Sequence, residues 1–253
     1  MIAGETMSAM TNAVNAIQRC YPGAEIALQV KPRALLQFGH VGTITGIPTD
    51  SEPELKFLGE LLVAHLSVET ELDECYALDF HQVERDDGEL GKTEVGEDVY
   101  LGKYQSSKDA RLRLATRVRS FIDAHPLYRA AGFLAYVPPH TSQPKSSLAE
   151  RLTRGLSPEI GKPLADLIRI DERDPQKDID DDDRDSTVNL RAKNQRFSMR
   201  CDTRLEGRAV IVLDDLIGTG ASMNEAGRAL RASGASAVFG LAMTKTRKFA
   251  RLS

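Results

Sequence analysis

The chain has no tryptophan, and aromatic residues make up only 6% of its 253 residues. A surface that grips single-stranded nucleic acid by stacking bases on aromatic rings is therefore a poor expectation. Cysteine is scarce as well. Cys20, Cys75 and Cys201 lie far apart, and no two have the short spacing of a zinc knuckle or a redox dithiol. His40, His65, His81 and His125 share no metal-ligand spacing. No apolar run approaches the roughly 18–20 residues needed to cross a bilayer. Met1 to Met10 carries Glu5 and no basic residue, unlike the charged start of an export peptide. These absences predict a reduced, soluble, cytoplasmic protein with no membrane partner. Charge imbalance is small too: 33 Lys and Arg against 37 Asp and Glu leave −4. That removes any global attraction for nucleic acid but leaves room for a local basic patch; the terminal Thr244–Ser253 segment is basic through Lys245, Arg247, Lys248 and Arg251, and is either a frayed tail or a docking strip.

What is present supports a packed core. Hydrophobic residues make up 41% and charged residues 28%, a balance typical of globular chains. The hydrophobic pattern divides the chain. Residues 1–75 predict an N-terminal α+β subdomain, with a strand at Ala24–Val30, a strand with a turn within Pro32–Thr45, and a helix from Ser51 behind a Ser51–Glu54 capping box. Residues 76–253 form the main domain. Tyr76–Val83 and Val95–Tyr104 flank an acidic, Gly-containing turn, which predicts a hairpin or hood over about 76–104. From Ser106 onward helix and strand alternate. Leu114, Val118, Phe121 and Ile122 line one helix face, and Pro126 stops it. Strands are expected at Phe133–Val137, Leu164–Ile170, Ala209–Leu213 and Ala237–Met243. Helices are expected after Ser147, which with Glu150 matches a second capping box, and over Ser222–Arg231. The fold class implied is α/β: an open, mainly parallel sheet with helices on both faces. Between the strands, about 171–200 forms a long polar loop. It is rich in Asp and interleaved with Arg and Lys, and is either a solvated connection or a lid.

The segment with most chemical content is Val210–Ser222, reading VIVLDDLIGTGAS. An apolar strand ends in Asp214 and Asp215, a Gly- and hydroxyl-rich turn follows, and a helix begins. In open parallel sheets ligands gather beyond the carboxyl ends of strands. Gly218 and Gly220 let backbone N–H groups turn inward. The helix start adds unpaired donors and partial positive charge. Thr219 and Ser222 add hydroxyls. This is a cradle for one phosphate monoester. Two carboxylates beside it would repel a bare phosphate, but they accept hydrogen bonds from sugar hydroxyls. The implied ligand is a ribose 5-phosphate moiety. No Lys follows the glycines, so this is not a Walker loop, and the dinucleotide Gly-x-Gly-x-x-Gly is absent. The plainer reading of the same residues is a Ser222–Glu225 capping box behind an ordinary turn.

The strand, Asp214-Asp215, and the loop ending Thr219-Gly220-Ala221-Ser222 resemble the phosphoribosyl pyrophosphate signature of type I phosphoribosyltransferases. Val137-Pro138-Pro139-His140, Gln176, Arg184, Asn189 and Phe197 extend the likeness to the ComF-type, competence-associated branch over roughly 76–247. That branch often carries an N-terminal four-cysteine zinc module, which this chain lacks. The resemblance implies transfer of a phosphoribosyl group to a nitrogen nucleophile, such as a nucleobase, with release of pyrophosphate. Asp214 and Asp215 would be the catalytic pair on the ribose hydroxyls, with Gly218, Thr219, Gly220, Ala221 and Ser222 on the 5-phosphate. Pro138, Pro139, His140, Thr141 and Lys145 would form the pyrophosphate loop. Arg173, Gln176 and Lys177 would lie in the lid. Magnesium would arrive with the substrate rather than on a protein metal site. The expected partners are phosphoribosyl pyrophosphate and a base. A homodimer is compatible with the reading, and nucleic acid is the weaker expectation. Two alternatives remain: a non-catalytic sensor of phosphoribosyl pyrophosphate or a nucleotide, and a DNA-processing accessory protein with a vestigial pocket.

Overall fold

The computed structural model describes residues 2–4, 18–19, 25–30, 40–45, 66–84, 88–139, 146–170 and 197–246. The chain divides into two compact units. One comprises Met1–Ser67 and Ser120–Arg129, the other Val68–Arg119 and Ala130–Ser253.

In the first unit, β1 (Ile2–Gly4), β2 (Glu25–Val30) and β3 (His40–Thr45) form an antiparallel sheet in the order β1-β3-β2. Its second segment holds an aromatic cluster. The Phe121 and Tyr128 rings meet edge-on with centroids 5.0 Å apart, and His125 lies 4.7 Å from Tyr128. The expected helix from Ser51 lies outside the described residues.

The chain continues through β4 (Leu66–Ser67) into the second unit, which is built on a mixed, mostly parallel sheet. Four of its strands are β5 (Glu74–Phe80), β8 (Phe133–Tyr136), β11 (Val210–Ile217) and β12 (Val238–Lys245), in the order β5-β12-β11-β8 and parallel throughout. Val210, Ile211, Val212 and Leu213 are fully buried, as expected of a strand covered on both faces. This α/β layering is consistent with a Rossmann-like fold.

The helices are α1 (Glu94–Tyr104), α2 (Lys108–Ala124), α3 (Pro126–Ala130), α4 (Leu148–Glu159) and α5 (Ala221–Ala232). Leu114, Val118, Phe121 and Ile122 of α2 are buried, as their spacing predicts. Ser147 caps α4 by accepting from the Glu150 amide at 3.0 Å. Helix α1 packs on β5 and β12, α4 on β8 and β11, and α5 on β11 and β12. Gly227 of α5 and Gly240 of β12 both face Leu72. Val212, Asp214 and Ala242 share the Gly240 face by register. Asp215, one residue on, projects to the opposite face, where it meets Lys103 of α1. Helices α1 and α5 therefore cover opposite faces.

Several expectations need correction. Val95–Tyr104 is not a strand. The hairpin is β6 (Gln82–Glu84) with β7 (Leu90–Lys92), pairing Gln82 with Lys92. Helix α1 follows because Thr93 caps it, its hydroxyl accepting from the Gly96 amide at 3.0 Å, with Glu94 and Glu97 in the first turn. Leu164–Ile170 is not one sheet strand. Leu164 makes a single parallel bridge to Leu134, and β9 (Leu167–Arg169) then pairs antiparallel with β10 (Met199–Cys201). The polar loop expected over 171–200 therefore ends before β10. Strand β11 also runs four residues beyond Leu213, to Ile217.

Candidate functional site

Asp214 and Asp215 lie inside β11 rather than just past it. Asp214 pairs in register with Ala242 of β12, and the strand continues through Leu216 and Ile217. Because alternate residues face opposite ways, the two acids have different neighbours. The Asp215 carboxylate is buried and meets the Lys103 ammonium at 3.0 Å. The Asp215 backbone carbonyl accepts from the Thr244 hydroxyl at 3.1 Å. That hydroxyl also lies 3.4 Å from Nδ1 of His81.

Asp214 keeps some exposed surface, yet the protein packed around its carboxyl dominates its chemistry. Burial, then the neighbouring Asp215 charge, pushes the Asp214 carboxyl up to about 8. Its Oδ1 accepts from the Asp215 amide at 2.8 Å. At neutral pH the pair therefore does not carry two full charges. Burial, followed by the nearby Lys92 and Lys103 charges, lowers His81, which favours the neutral ring.

The bend after β11 is built by glycine. Gly220 has φ of +82° and occupies the N-cap of α5 without a side-chain cap. A Cβ there would lie 3.3 Å from the Thr70 methyl in a backbone region that side chains rarely adopt. The Asn224 amide bonds to the Gly220 carbonyl at 2.8 Å, so the amides of Ala221, Ser222 and Met223 precede the first helical bond. The Thr219 hydroxyl accepts from the Ala221 amide at 3.4 Å. On the far side, Asn224 accepts from the Glu71 amide at 2.9 Å, tying the Glu69–Asp73 segment to the first turn of α5.

The capping-box reading of Ser222 and Glu225 fails. Gly220, not Ser222, is the N-cap. Glu225 is buried, accepts from the Met199 amide at 3.0 Å, and takes two bonds from Arg228 at 2.8 Å. Its work is to hold β10 against α5.

Pro138 and Pro139 follow β8, and Arg169 of β9 holds them. Its guanidinium donates to the carbonyls of Pro138 and Pro139 at 3.3 Å, and lies 3.3 Å from the Ser198 hydroxyl. Burial lowers Arg169, partly offset by Glu225 and Asp214. His140, Thr141 and Lys145 of the expected pyrophosphate loop lie outside the described residues, as do Arg173, Gln176 and Lys177 of the expected lid.

The structure thus places Asp214, Gly218, Thr219, Gly220, Ala221 and Ser222 at the carboxyl end of β11 and the start of α5, and turns the Asp215 carboxylate to the opposite face, onto Lys103. It adds four residues that sequence reasoning missed: Lys103, His81, Arg169 and Thr70. Lys103 fell in a segment read as strand, so its helical direction was invisible. The other three act through contacts distant in sequence, with no local pattern to mark them. An open groove of about 710 Å³ lies elsewhere, lined by residues including Lys92, Glu97, Asp98 and Arg113. No acid of the Asp214–Asp215 pair lines it, and geometry rather than cavity size locates the candidate site. Among the described residues no three His, Cys, Asp or Glu side chains gather as for a metal ion, and no helix is long and apolar enough to cross a membrane. Neither the protein-family models nor the curated proteins compared with the chain match it.

Proposed function

We propose that this protein is a phosphoribosyltransferase of the type I, ComF-like kind, binding phosphoribosyl pyrophosphate in the cytoplasm and passing its phosphoribosyl group to a nitrogen nucleophile such as a nucleobase. One observation carries the reading: an acidic pair in the last half of a central parallel strand, joined by a three-residue bend to a helix whose cap is a left-handed glycine. The Asp214 carboxyl and the first amides of α5 then stand close along the chain on the side of the sheet that α5 covers, and ribose 5-phosphate presents a matching hydroxyl and phosphate.

In the reaction the bond from the anomeric carbon to pyrophosphate breaks, pyrophosphate leaves with the bonding pair, and a nitrogen lone pair forms the new bond. The nitrogen's proton passes to solvent or a base. The transition state is oxocarbenium-like. Asp214, on the face of the sheet that α5 covers, accepts from a ribose hydroxyl, while Asp215, on the opposite face, acts through its ion pair with Lys103. The amides of Thr219–Ser222 and the hydroxyls of Thr219 and Ser222 anchor the 5-phosphate, remote from the reacting bond. Pro138 and Pro139, held by Arg169, stand where the pyrophosphate loop belongs in this reading. Magnesium, when bound with the substrate, neutralises pyrophosphate. A metal carried by substrate phosphates asks for no dedicated protein cage, so its chemistry would come with phosphoribosyl pyrophosphate rather than from a named side chain.

The test is calorimetric titration with ribose 5-phosphate, followed by pyrophosphate release from phosphoribosyl pyrophosphate across purine, pyrimidine and pyridine bases. Binding that is lost in Asp214→Asn/Asp215→Asn, together with base-dependent release, supports the enzyme. Binding without turnover favours the sensor. Unchanged affinity in the double variant contradicts the site.

A further inference from the structure

An anionic ligand and two carboxylates make poor neighbours, and the fold contains a device that addresses this. Helix α1 brings Lys103 to Asp215, and two glycines allow the approach. A Cβ on Gly96 would lie 2.1 Å from the His81 carbonyl, and one on Gly102 would lie 3.2 Å from Leu148. The helix is thus seated against both the β5–β6 corner and α4. Lys103 lies in its last turn, where the helix dipole favours a cation.

Resting on the sugar-phosphate reading above, we infer that Lys103 is a positioning residue of this site: it holds the Asp215 carboxylate in one orientation and cancels its charge, so that a phosphate-bearing sugar can approach Asp214 and the bend. Lys103 makes the contact at 3.0 Å, and the other charged groups nearby have contacts of their own. Lys92 of β7 is held 3.2 Å from Glu97 and 3.9 Å above the Tyr100 ring. His81 is driven toward its neutral form. Arg169 of β9 holds the Pro138–Pro139 carbonyls, and Glu225 and Asp214 act on it. Lys245 of β12 stands in register with Ile217, one alternation beyond Asp215, whereas Lys103 lies 3.0 Å from the Asp215 carboxylate. Tyr104 and Asp214 complete the groups that Lys103 feels. A surface ion pair would contribute little. This one has a buried carboxylate, and loss of its partner leaves a charge beside the ligand.

The experiment compares Lys103→Met and Lys103→Arg with the parent chain by calorimetry with ribose 5-phosphate, and follows Asp214 by carbon NMR of carboxyl-labelled aspartate in the free protein. Lys103→Met is expected to weaken binding about tenfold or more, the scale of one charge-assisted hydrogen bond. Lys103→Arg is expected to restore most of it. The Asp214 midpoint is expected to rise in Lys103→Met, because Lys103 lowers it in the parent. Parent-level affinity in Lys103→Met would overturn the inference, as would an unmoved Asp214 midpoint. If Lys103→Met fails to fold, Lys103→Gln makes the same comparison. If the parent chain itself binds no ribose 5-phosphate, the sugar-phosphate reading fails and takes the ligand half of the inference with it, while the Asp214 titration still decides whether Lys103 sets the charge of the pair.

Discussion

Asp214 and Asp215 differ by one position in sequence and by a face of the sheet in space. Strand alternation gives Asp215 a lysine and leaves Asp214 packed and unpaired with a cation at hydrogen-bond distance among the described residues. The raised Asp214 carboxyl has a consequence for stability. Its folded value, about 8, lies above the ordinary 3.8, so between those values the folded chain holds a proton that the unfolded chain gives up. Its contribution is complete below the ordinary value and is lost as pH rises through about 8. Thermal unfolding followed by circular dichroism is expected to show a midpoint that falls over this range in the parent chain. It should fall less in Asp214→Asn, which carries no titrating proton. An equal fall in both would place the titration elsewhere. At the phosphate end, Ser222→Ala is expected to weaken ribose 5-phosphate by about 1–2 kcal/mol. Since Ser222 does not cap α5, the variant should leave the unfolding midpoint in place.

At the scale of elements, two glycines and one buried acid decide how the site is held. Gly96→Ala puts a methyl against the His81 carbonyl, a backbone atom that cannot turn aside. The expected cost is about 1–3 kcal/mol in urea unfolding, with a loss of ligand affinity beyond it because α1 carries Lys103. Glu225→Ala strands the Met199 amide and leaves Arg228 with its bond to the Met199 carbonyl, at an expected cost of about 2–3 kcal/mol. These elements also show what the sequence could and could not reveal. The buried run at β11, the Ser147 cap and the Leu114–Val118 face were legible because each is a local pattern. Helix α1 was not. Val95 and Val99 favour strands, and Gly96 and Gly102 weaken a helix, yet both glycines are demanded by close packing that only the tertiary structure contains. Leu164–Ile170 misled for a related reason: a short apolar run does not say which sheet it joins.

For the whole molecule, the second unit carries the candidate site on a sheet of order β5-β12-β11-β8, with β11 flanked by β12 and β8 and its carboxyl end opening at the bend. The acidic pair and the bend were legible because they are contiguous in sequence. Their neighbours were not, since Lys103, His81, Arg169 and Thr70 come from four separate segments that only the tertiary fold places around β11, the bend and the end of β8. The same folding logic suits both an enzyme and a sensor, because sites rather than folds determine chemistry. The most direct measurement of the central claim is calorimetric titration of the full chain with ribose 5-phosphate in the presence of magnesium, repeated with the Asp214→Asn/Asp215→Asn variant. The expected result is saturable binding at one site per chain that disappears in the variant while its unfolding remains cooperative. Equal heat from parent and variant, or none from a folded parent, would contradict the assignment of β11 and its bend as a sugar-phosphate site.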